Sequence, residues 1–159
     1  MQGMRRIKQK LQEDEVREIL YRAPYGVLST SCEDGLPYGV PLSFALTGLS
    51  IYFHTAAVGQ KLDNIKRDGR ACLTVVDAAK NMGEKLTMAY RSVMVFGTVR
   101  PVQGEDERQA AFRLLSGKYA PGLSEENTAA YIKRYGPAAL VLRMDVEYMV
   151  GKANLTQYL

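Results

Sequence analysis

The sequence predicts a mainly β protein in which a small antiparallel barrel carries helices on its outside. Consecutive runs of β-branched and aromatic residues are joined by short turns, which is typical of β-hairpins. A longer apolar run covers residues 86–102, and Gly97 stands in its middle, where a bulge of a closing barrel needs a glycine. Helical periodicity occurs in separate segments, so we expect the helices to pack outside the sheet.

The first half of the chain is predicted to form a helix, three strands and a second helix. Val16, Ile19 and Leu20 lie at helical spacing, and Pro24 ends that helix. In the hairpin that follows, Gly35 after an aspartate supplies the positive φ of a tight turn. The elements are a helix at 13–22, a hairpin over 25–46, a strand at 51–55 and a helix at 59–68.

The second half is predicted to hold two strands, two helices and a last strand. This half begins after the helix at 59–68, in which Leu62 and Ile65 face inward. Gly69 is expected to stop that helix. Ser124 caps the last helix, which ends at Gly136. The later elements are a strand at 71–76, a polar loop at 78–85, the long strand at 86–102, a helix opened by the acids at 105–107, the helix capped by Ser124 and a strand at 138–150.

Composition excludes several classes of function. With 47% hydrophobic and 24% charged residues, the sequence has no apolar run near the roughly 20 residues that span a bilayer. The N-terminus lacks the apolar core of a secretory signal, so we expect the protein in the cytoplasm, as one domain over 1–159. Cys32 and Cys72 lack CxxC spacing and His54 is the only histidine, so we expect no metal site.

Positive charge is concentrated at the N-terminus, in Arg5, Arg6, Lys8 and Lys10, within a net charge of +4. Acids at 13–15 follow at once, so we interpret the segment as a mixed-charge helix. No RNA-binding signature or helix-turn-helix pattern is present, and we expect no nucleic-acid partner. The excess charge then reflects either an anionic ligand or no specific function.

Lys61 stands in the first turn of the helix predicted at 59–68. A cation is mildly unfavourable at this positive end of the helix dipole. The free N–H groups of the same turn can, however, bind an anion such as phosphate. Lys61 is therefore either a solvated surface residue or part of a phosphate site.

Several blocks together resemble the flavin-binding split-barrel proteins related to pyridoxamine phosphate oxidase. They are YGVPLSF at 38–44, IYFHTAAVGQKLDNI at 51–65, the trailing Arg70 and YRSVMVFGTV at 90–99. His54 before GQKLDNI resembles the nitroimidazole-resistance (Nim) branch of that superfamily. The resemblance implies a six-stranded antiparallel split β-barrel with peripheral helices. It also implies a homodimer with two FMN sites at its interface.

The resemblance implies nine FMN-binding positions in this chain. They are Lys61 at the phosphate; His54 and Thr55 beside the flavin and its phosphate; Val40, Pro41, Leu42 and Ser43 along the isoalloxazine ring; and Ser92 and Val93, which reach the flavin from the long strand of the same or the second chain. His54 is either a catalytic proton donor near the flavin or a structural strand-end residue. No metal is implied.

The sequence departs from the pyridoxamine phosphate oxidases at three places. Gln60 and Tyr38 replace two arginines, and the loss at Gln60 removes a bidentate phosphate donor. The segment 151–159, GKANLTQYL, lacks the arginine- and histidine-bearing tail that grips the pyridoxal substrate. The resemblance therefore does not imply vitamin B6 oxidation.

Three functional hypotheses follow from the resemblance. The first is an FMN-dependent oxidoreductase that reduces a small electron-poor substrate, such as a nitroimidazole or another nitroaromatic. The second is a flavin- or haem-binding module without efficient turnover. The third is a reductase that uses deazaflavin in place of FMN.

Overall fold

The structure is a computed structural model that describes residues 7–159. Within that range the chain forms four α-helices and seven β-strands. The helices are α1 (Glu13–Arg22), α2 (Gln60–Arg67), α3 (Glu105–Tyr119) and α4 (Glu125–Tyr135). The strands are β1 (Gly26–Ser31), β2 (Pro37–Leu42), β3 (Phe44–Thr47), β4 (Ser50–Ala56), β5 (Arg70–Met82), β6 (Thr87–Pro101) and β7 (Ala139–Asn154).

All seven of these strands form one antiparallel sheet in the order β2-β1-β5-β6-β7-β4-β3. The two edge strands, β2 and β3, are consecutive in the chain and only Ser43 separates them. The sheet must therefore curl until its edges meet, which gives a split barrel and confirms the predicted fold class. Six strands were predicted and seven are found, because the second strand of the predicted hairpin is divided at Ser43. The part before Ser43 is β2, which pairs with β1, and the part after it is β3, which pairs with β4.

The core of the barrel consists of side chains that alternate along the strands and point inward. Each of the following is at most 1% exposed: Leu28, Phe44, Ile51, Phe53, Leu73, Val75, Val93, Val95, Leu142 and Met144. Helix α1 adds Val16, Ile19 and Leu20 to the same cluster, as its spacing predicts. A second, smaller cluster under α3 holds Tyr52, Val102, Ala111 and Val141.

The predicted polar loop over 78–85 is wrong. Strand β5 continues to Met82 and pairs with β6 as far as Thr87, after a register shift between Val76 and Ala78. Pairing with a neighbouring strand overrides polar composition, because the polar side chains of this two-stranded extension point into solvent. The turn itself is a short 3-10 segment, Gly83–Lys85.

Two glycines are required by close approach of the backbone. Gly97 stands at the register shift between β6 and β7, as predicted, and a Cβ there would lie 2.1 Å from the Asp145 carbonyl oxygen. Gly69 does not stop α2 in a left-handed conformation, because its φ is not positive and Asp68 ends the helix in extended backbone. A Cβ at Gly69 would instead lie 2.7 Å from the Val99 carbonyl oxygen.

The predicted mixed-charge helix at the N-terminus is only partly correct. Lys8 lies in a 3-10 turn and Lys10 forms an isolated bridge with Lys152, so the helix begins only at Glu13. The side chain of Glu15 accepts from the Gln12 N–H at 2.8 Å, which fixes this start. Arg5 and Arg6 lie outside the described residues.

Helix α2 is attached to the end of β1 by Asn64, whose side chain is 1% exposed. The Asn64 amide donates to the Thr30 hydroxyl at 3.0 Å and accepts from the Gln60 amide at 2.8 Å. The Arg67 guanidinium adds a bond of 2.6 Å to the Ser31 carbonyl oxygen. The helix is thereby held in one orientation, which fixes where its N-terminus lies.

We expect Asn64→Ala to lower the free energy of unfolding by about 1–2 kcal/mol, because the buried Thr30 hydroxyl loses its partner. Urea denaturation followed by circular dichroism measures this loss. Asn81→Ala is the matched control, since Asn81 is an exposed residue of β5. Equal effects of the two substitutions would contradict the anchoring role of Asn64.

Candidate functional site

The predicted ring-binding positions lie on β2 and at its end. Val40 and Leu42 point inward and pack against the core, whereas Pro41 is exposed. Gly39, which precedes them, is also exposed, so the outer surface of β2 has little side-chain bulk. Because β2 is an edge strand, part of its backbone can hydrogen-bond a ligand.

Lys61 lies in the first turn of α2 and is half-buried. Among residues 7–159, no carboxylate oxygen lies within 4.0 Å of its ammonium nitrogen. Helix α2 is attached at Thr30, which pairs with Tyr38 near the start of β2. Lys61 and the free N–H groups of α2 therefore lie nearer to Tyr38 than to the other end of β2.

His54 and Ser43 meet at the other end of β2. Ser43 precedes β3, whose Phe44 pairs with Phe53, so Ser43 stands opposite His54. The imidazole is exposed and points out of the barrel, while the neighbouring Thr55 is only 8% exposed and points inward. His54 lies two residues before the end of β4 rather than at its end. Five residue steps along β2 separate Ser43 from Tyr38, which corresponds to about 17 Å.

Ser43 and His54 line a cavity of about 510 Å³ beneath α3 and α4, which we call the α3–α4 chamber. Most of its other walls are apolar or aromatic. The full set of other lining residues is Phe112, Leu115, Ser116, Tyr119, Ala120, Leu123, Tyr131, Ile132, Tyr135, Gly136 and Ala139. A cavity of this size and character is typical of a site for a small molecule.

Helix α3, which forms one wall of the chamber, is bound to the sheet through Glu107. The carboxylate accepts from the Tyr52 hydroxyl at 2.8 Å and from the Arg143 guanidinium at 2.9 Å. The hydrogen bonds from Arg143 and Tyr52 lower the pKa of Glu107, and burial raises the pKa of Tyr52. The carboxylate therefore stays ionised and holds α3 at neutral pH.

The C-terminal end of α3 is attached by Lys118 and Tyr119. The Lys118 ammonium donates to the Leu20 carbonyl oxygen at 3.0 Å and lies 4.0 Å from the centre of the Phe44 ring. Burial lowers the pKa of Lys118 to about 8. The Tyr119 hydroxyl accepts from the Phe44 N–H at 2.8 Å and lies 2.9 Å from the Pro24 carbonyl oxygen. This side of the chamber is therefore rigidly held.

Ser92 and Val93 are not in the same cluster as the other predicted positions. Val93 is fully buried, so only its backbone can reach a ligand, and Ser92 is half-buried on the outer face. Through successive strand pairs, Val40 of β2 lies in line with Leu28 of β1, Leu73 of β5 and Val95 of β6. Three strand spacings therefore separate β6 from β2, which corresponds to about 14 Å. A ligand that contacts β2 and also Ser92 or Val93 on β6 must therefore cross the outer face of the sheet or lie between two chains.

That outer face is apolar and exposed. Val27, Val76, Met94 and Tyr148 are 36%, 62%, 40% and 44% exposed, and Tyr148 stacks with Phe96 at 6.1 Å between ring centres. Contiguous exposed apolar surface of this kind marks an interaction site. This patch is not recognisable in the sequence, because it forms only when strands distant in sequence pair.

The aromatic residues of α3 and α4 are the functional candidates that sequence analysis missed. Phe112 and Tyr119 lie on α3, and Tyr131 and Tyr135 lie on α4. The one available signal is the spacing of Tyr131 and Tyr135, which puts two large rings on one face of the helix.

Three further features of the described residues concern metal binding, membrane-spanning helices and the two cysteines. No group of three or more metal-ligating side chains occurs within residues 7–159. In the same range, no helix is both long and apolar enough to cross a membrane. Cys32 and Cys72 are free thiols, and burial raises the pKa of Cys72, which disfavours the reactive thiolate.

The fold is similar to solved structures at low sequence identity. A conserved hypothetical protein from Mycobacterium tuberculosis has a TM-score of 0.83 at 18% identity, over 99% of this chain and 94% of that chain. A protein named for 5-nitroimidazole antibiotic resistance, from Bacteroides thetaiotaomicron, has a TM-score of 0.73 at 20% identity, over 90% and 85%. An FAD- and haem-binding protein from Mycobacterium smegmatis has a TM-score of 0.72 at 18% identity, over 93% and 74%.

A search among curated proteins found no match to this sequence. The family model of pyridoxamine 5'-phosphate oxidase matches residues 12–153, which includes both ends of β2, His54 and Lys61. Because this match covers most of the 159 residues, the chain belongs to the pyridoxamine 5'-phosphate oxidase family.

Proposed function

We propose that the protein is an FMN-dependent oxidoreductase that reduces a small electron-poor substrate, such as a nitroimidazole or another nitroaromatic. The observation that carries this proposal is the arrangement of β2. A lysine at a helix N-terminus, without an ion-pair partner among residues 7–159, lies at one end of the strand, and an exposed imidazole beside an apolar chamber lies at the other. FMN carries a phosphate ester at one end and a ring system at the other, so its two ends match the chemistry of these two places.

The residues present fit FMN at each part of the molecule. Lys61 and the N–H groups of α2 would hold the phosphate, as a point charge beside a helix end. The β2 backbone over 40–43 would follow the ring, because Gly39 and Pro41 leave its outer surface unobstructed. Thr55, Ser92 and Val93 remain proposed contacts, and Ser92 and Val93 would reach the flavin only if it is shared between two chains.

In this proposal the flavin supplies the redox chemistry and the protein supplies binding, orientation and a proton. His54 is placed to donate a proton to the substrate, since the imidazole points into the chamber. The apolar walls of the chamber limit access of water to the reacting groups. Gln60 and Tyr38, which replace two arginines of the vitamin B6 oxidases, make oxidation of pyridoxamine phosphate a poorer candidate.

The absorption spectrum of the purified protein tests the proposal. Bands at about 370 and 450 nm would support a bound flavin, and reduction of a nitroaromatic by the loaded protein would support the activity. A haem Soret band would favour a haem-binding module of the same fold. Neither band, with turnover only on added deazaflavin, would favour a deazaflavin-dependent reductase.

We expect the protein to be a homodimer, because the exposed apolar face of β1, β5, β6 and β7 adjoins Ser92 and would be covered by a second copy. Sedimentation equilibrium at micromolar concentration should give twice the chain mass of 17.7 kDa. Met94→Lys should shift the protein toward monomer. Leu49→Lys is the control, since Leu49 is 60% exposed in the β3–β4 turn. A wild-type monomer would contradict the shared site.

A further inference from the structure

The α3–α4 chamber has an aromatic mouth that the proposed FMN site does not use. Tyr131 and Tyr135 on α4 line the chamber, and their ring centres are 4.6 Å apart at an interplanar angle of 44°. They remain 59% and 48% exposed, so much of their ring surface is open to a ligand. Stacking on such rings favours planar aromatic molecules.

The charges around the chamber restrict the ligand further. Of the described residues that line it, His54 alone can carry a positive charge. Arg108 is near, but its guanidinium bonds the Gly136 carbonyl oxygen and pairs with Glu105 at 3.2 Å. Arg134 lies over the Tyr135 ring at 5.1 Å. Since neither arginine lines the chamber, a phosphate or carboxylate group there would depend on His54 alone, and the apolar walls would leave the rest of its charge desolvated.

The elements around the chamber differ in how they are held. Helix α3 is attached to the sheet by Glu107, Lys118 and Tyr119. The main packing partners of α4 are α3 and the 3-10 turn Gly136–Ala138. The two tyrosines are thus carried by the more peripheral wall of the cavity that His54 also lines.

We propose that the chamber binds the electron acceptor, and that Tyr131 and Tyr135 select an uncharged planar aromatic molecule of one or two rings. The volume of about 510 Å³ is within the range of small-molecule sites. The acceptor then lies between the α4 rings and the floor formed by Ser43 and His54. Its role as acceptor rests on the proposed function, whereas its binding depends on the chamber alone.

Calorimetric titration of the FMN-loaded protein, without reductant, tests the proposal with two probes of matched shape. These are 4-nitrobenzyl alcohol, which is uncharged, and 4-nitrobenzyl phosphate. The alcohol should bind at least tenfold more tightly than the phosphate. Tyr131→Ala and Tyr135→Ala should each weaken the alcohol about two- to tenfold, as expected for loss of one stacked ring. Tyr21→Ala on α1 is the matched control, since Tyr21 is 51% exposed and outside the chamber.

A filled chamber gives an independent test. Ala120→Phe places a ring in the chamber from the exposed end of α3, and it should abolish detectable alcohol binding while the flavin spectrum stays unchanged. The proposal is overturned if the double tyrosine variant and Ala120→Phe both bind the alcohol as the wild type does. It is also overturned if the phosphate binds as tightly as the alcohol, or if the wild type binds neither.

The outcome is separable from that of the proposed function. If no FMN binds, the same titrations on the flavin-free protein still decide whether the tyrosines hold the alcohol. If FMN binds and nitroaromatics are reduced but no chamber variant changes their affinity, the proposed function stands and the assignment of the chamber is wrong.

Discussion

Replacing Lys61 with alanine is expected to weaken FMN binding about ten- to a hundredfold and to leave riboflavin binding nearly unchanged. Only FMN carries the phosphate ester that the ammonium group would neutralise. A charge-assisted hydrogen bond of this kind contributes about 1.5–3 kcal/mol, which gives that range of affinity. Lys61 has no described carboxylate within 4.0 Å to compete for it.

Fluorescence titration of both flavins into the flavin-free protein measures this difference. Lys66→Ala is the matched control, because Lys66 is exposed in the last turn of the same helix. Both flavins should bind to it as to the wild type. Equal losses of FMN and riboflavin in Lys61→Ala would mean that the lysine supports the helix and not the phosphate.

His54→Ala is expected to lower turnover of a nitroaromatic about a hundredfold, with FMN affinity within about tenfold of the wild type. The imidazole lines the chamber and is exposed, so its removal takes away a proton donor without opening the core. Steady-state kinetics with the FMN-loaded variant measure the change. We expect the unfolding transition in urea to stay close to that of the wild type.

His54→Gln separates proton donation from simple contact. Glutamine keeps a hydrogen-bonding side chain of similar length but cannot act as a general acid near neutral pH. It should therefore be as slow as His54→Ala while it binds the probe more nearly as the wild type does. If instead the variants unfold and turnover per folded molecule is intact, His54 has a structural role.

Elements with strong local periodicity were predictable from sequence. The spacing of Val16, Ile19 and Leu20 predicts α1, and Gly97 marks the bulge of β6, because both signals lie within one segment. The extension of β5 to Met82 was not predictable, since its polar residues become a strand only by pairing with β6. The break at Ser43 likewise depends on which strands lie on either side of it.

The candidate site was predictable only in part, for a similar reason. The family blocks identify Lys61 and His54 within a single stretch of sequence. The chamber, however, joins residues 43 and 54 to residues between 112 and 139, and no local pattern connects segments so far apart. The order of strands also determines that β6, the strand of Ser92, lies three strand spacings or about 14 Å from β2.

The position of β7 between β6 and β4 has a consequence for how the chain folds. This strand follows all the others in sequence, yet among the described strands it alone is hydrogen-bonded to both groups, through β6 of β2-β1-β5-β6 and β4 of β4-β3. Paired residues such as Ser50 and Asp145 are therefore far apart in sequence, which raises the contact order of the fold. Proteins of high contact order fold slowly. On the ribosome, β4 and β6 must wait with unpaired edges until residues 139–154 emerge. The nascent chain is thus most exposed to aggregation just before its synthesis reaches β7.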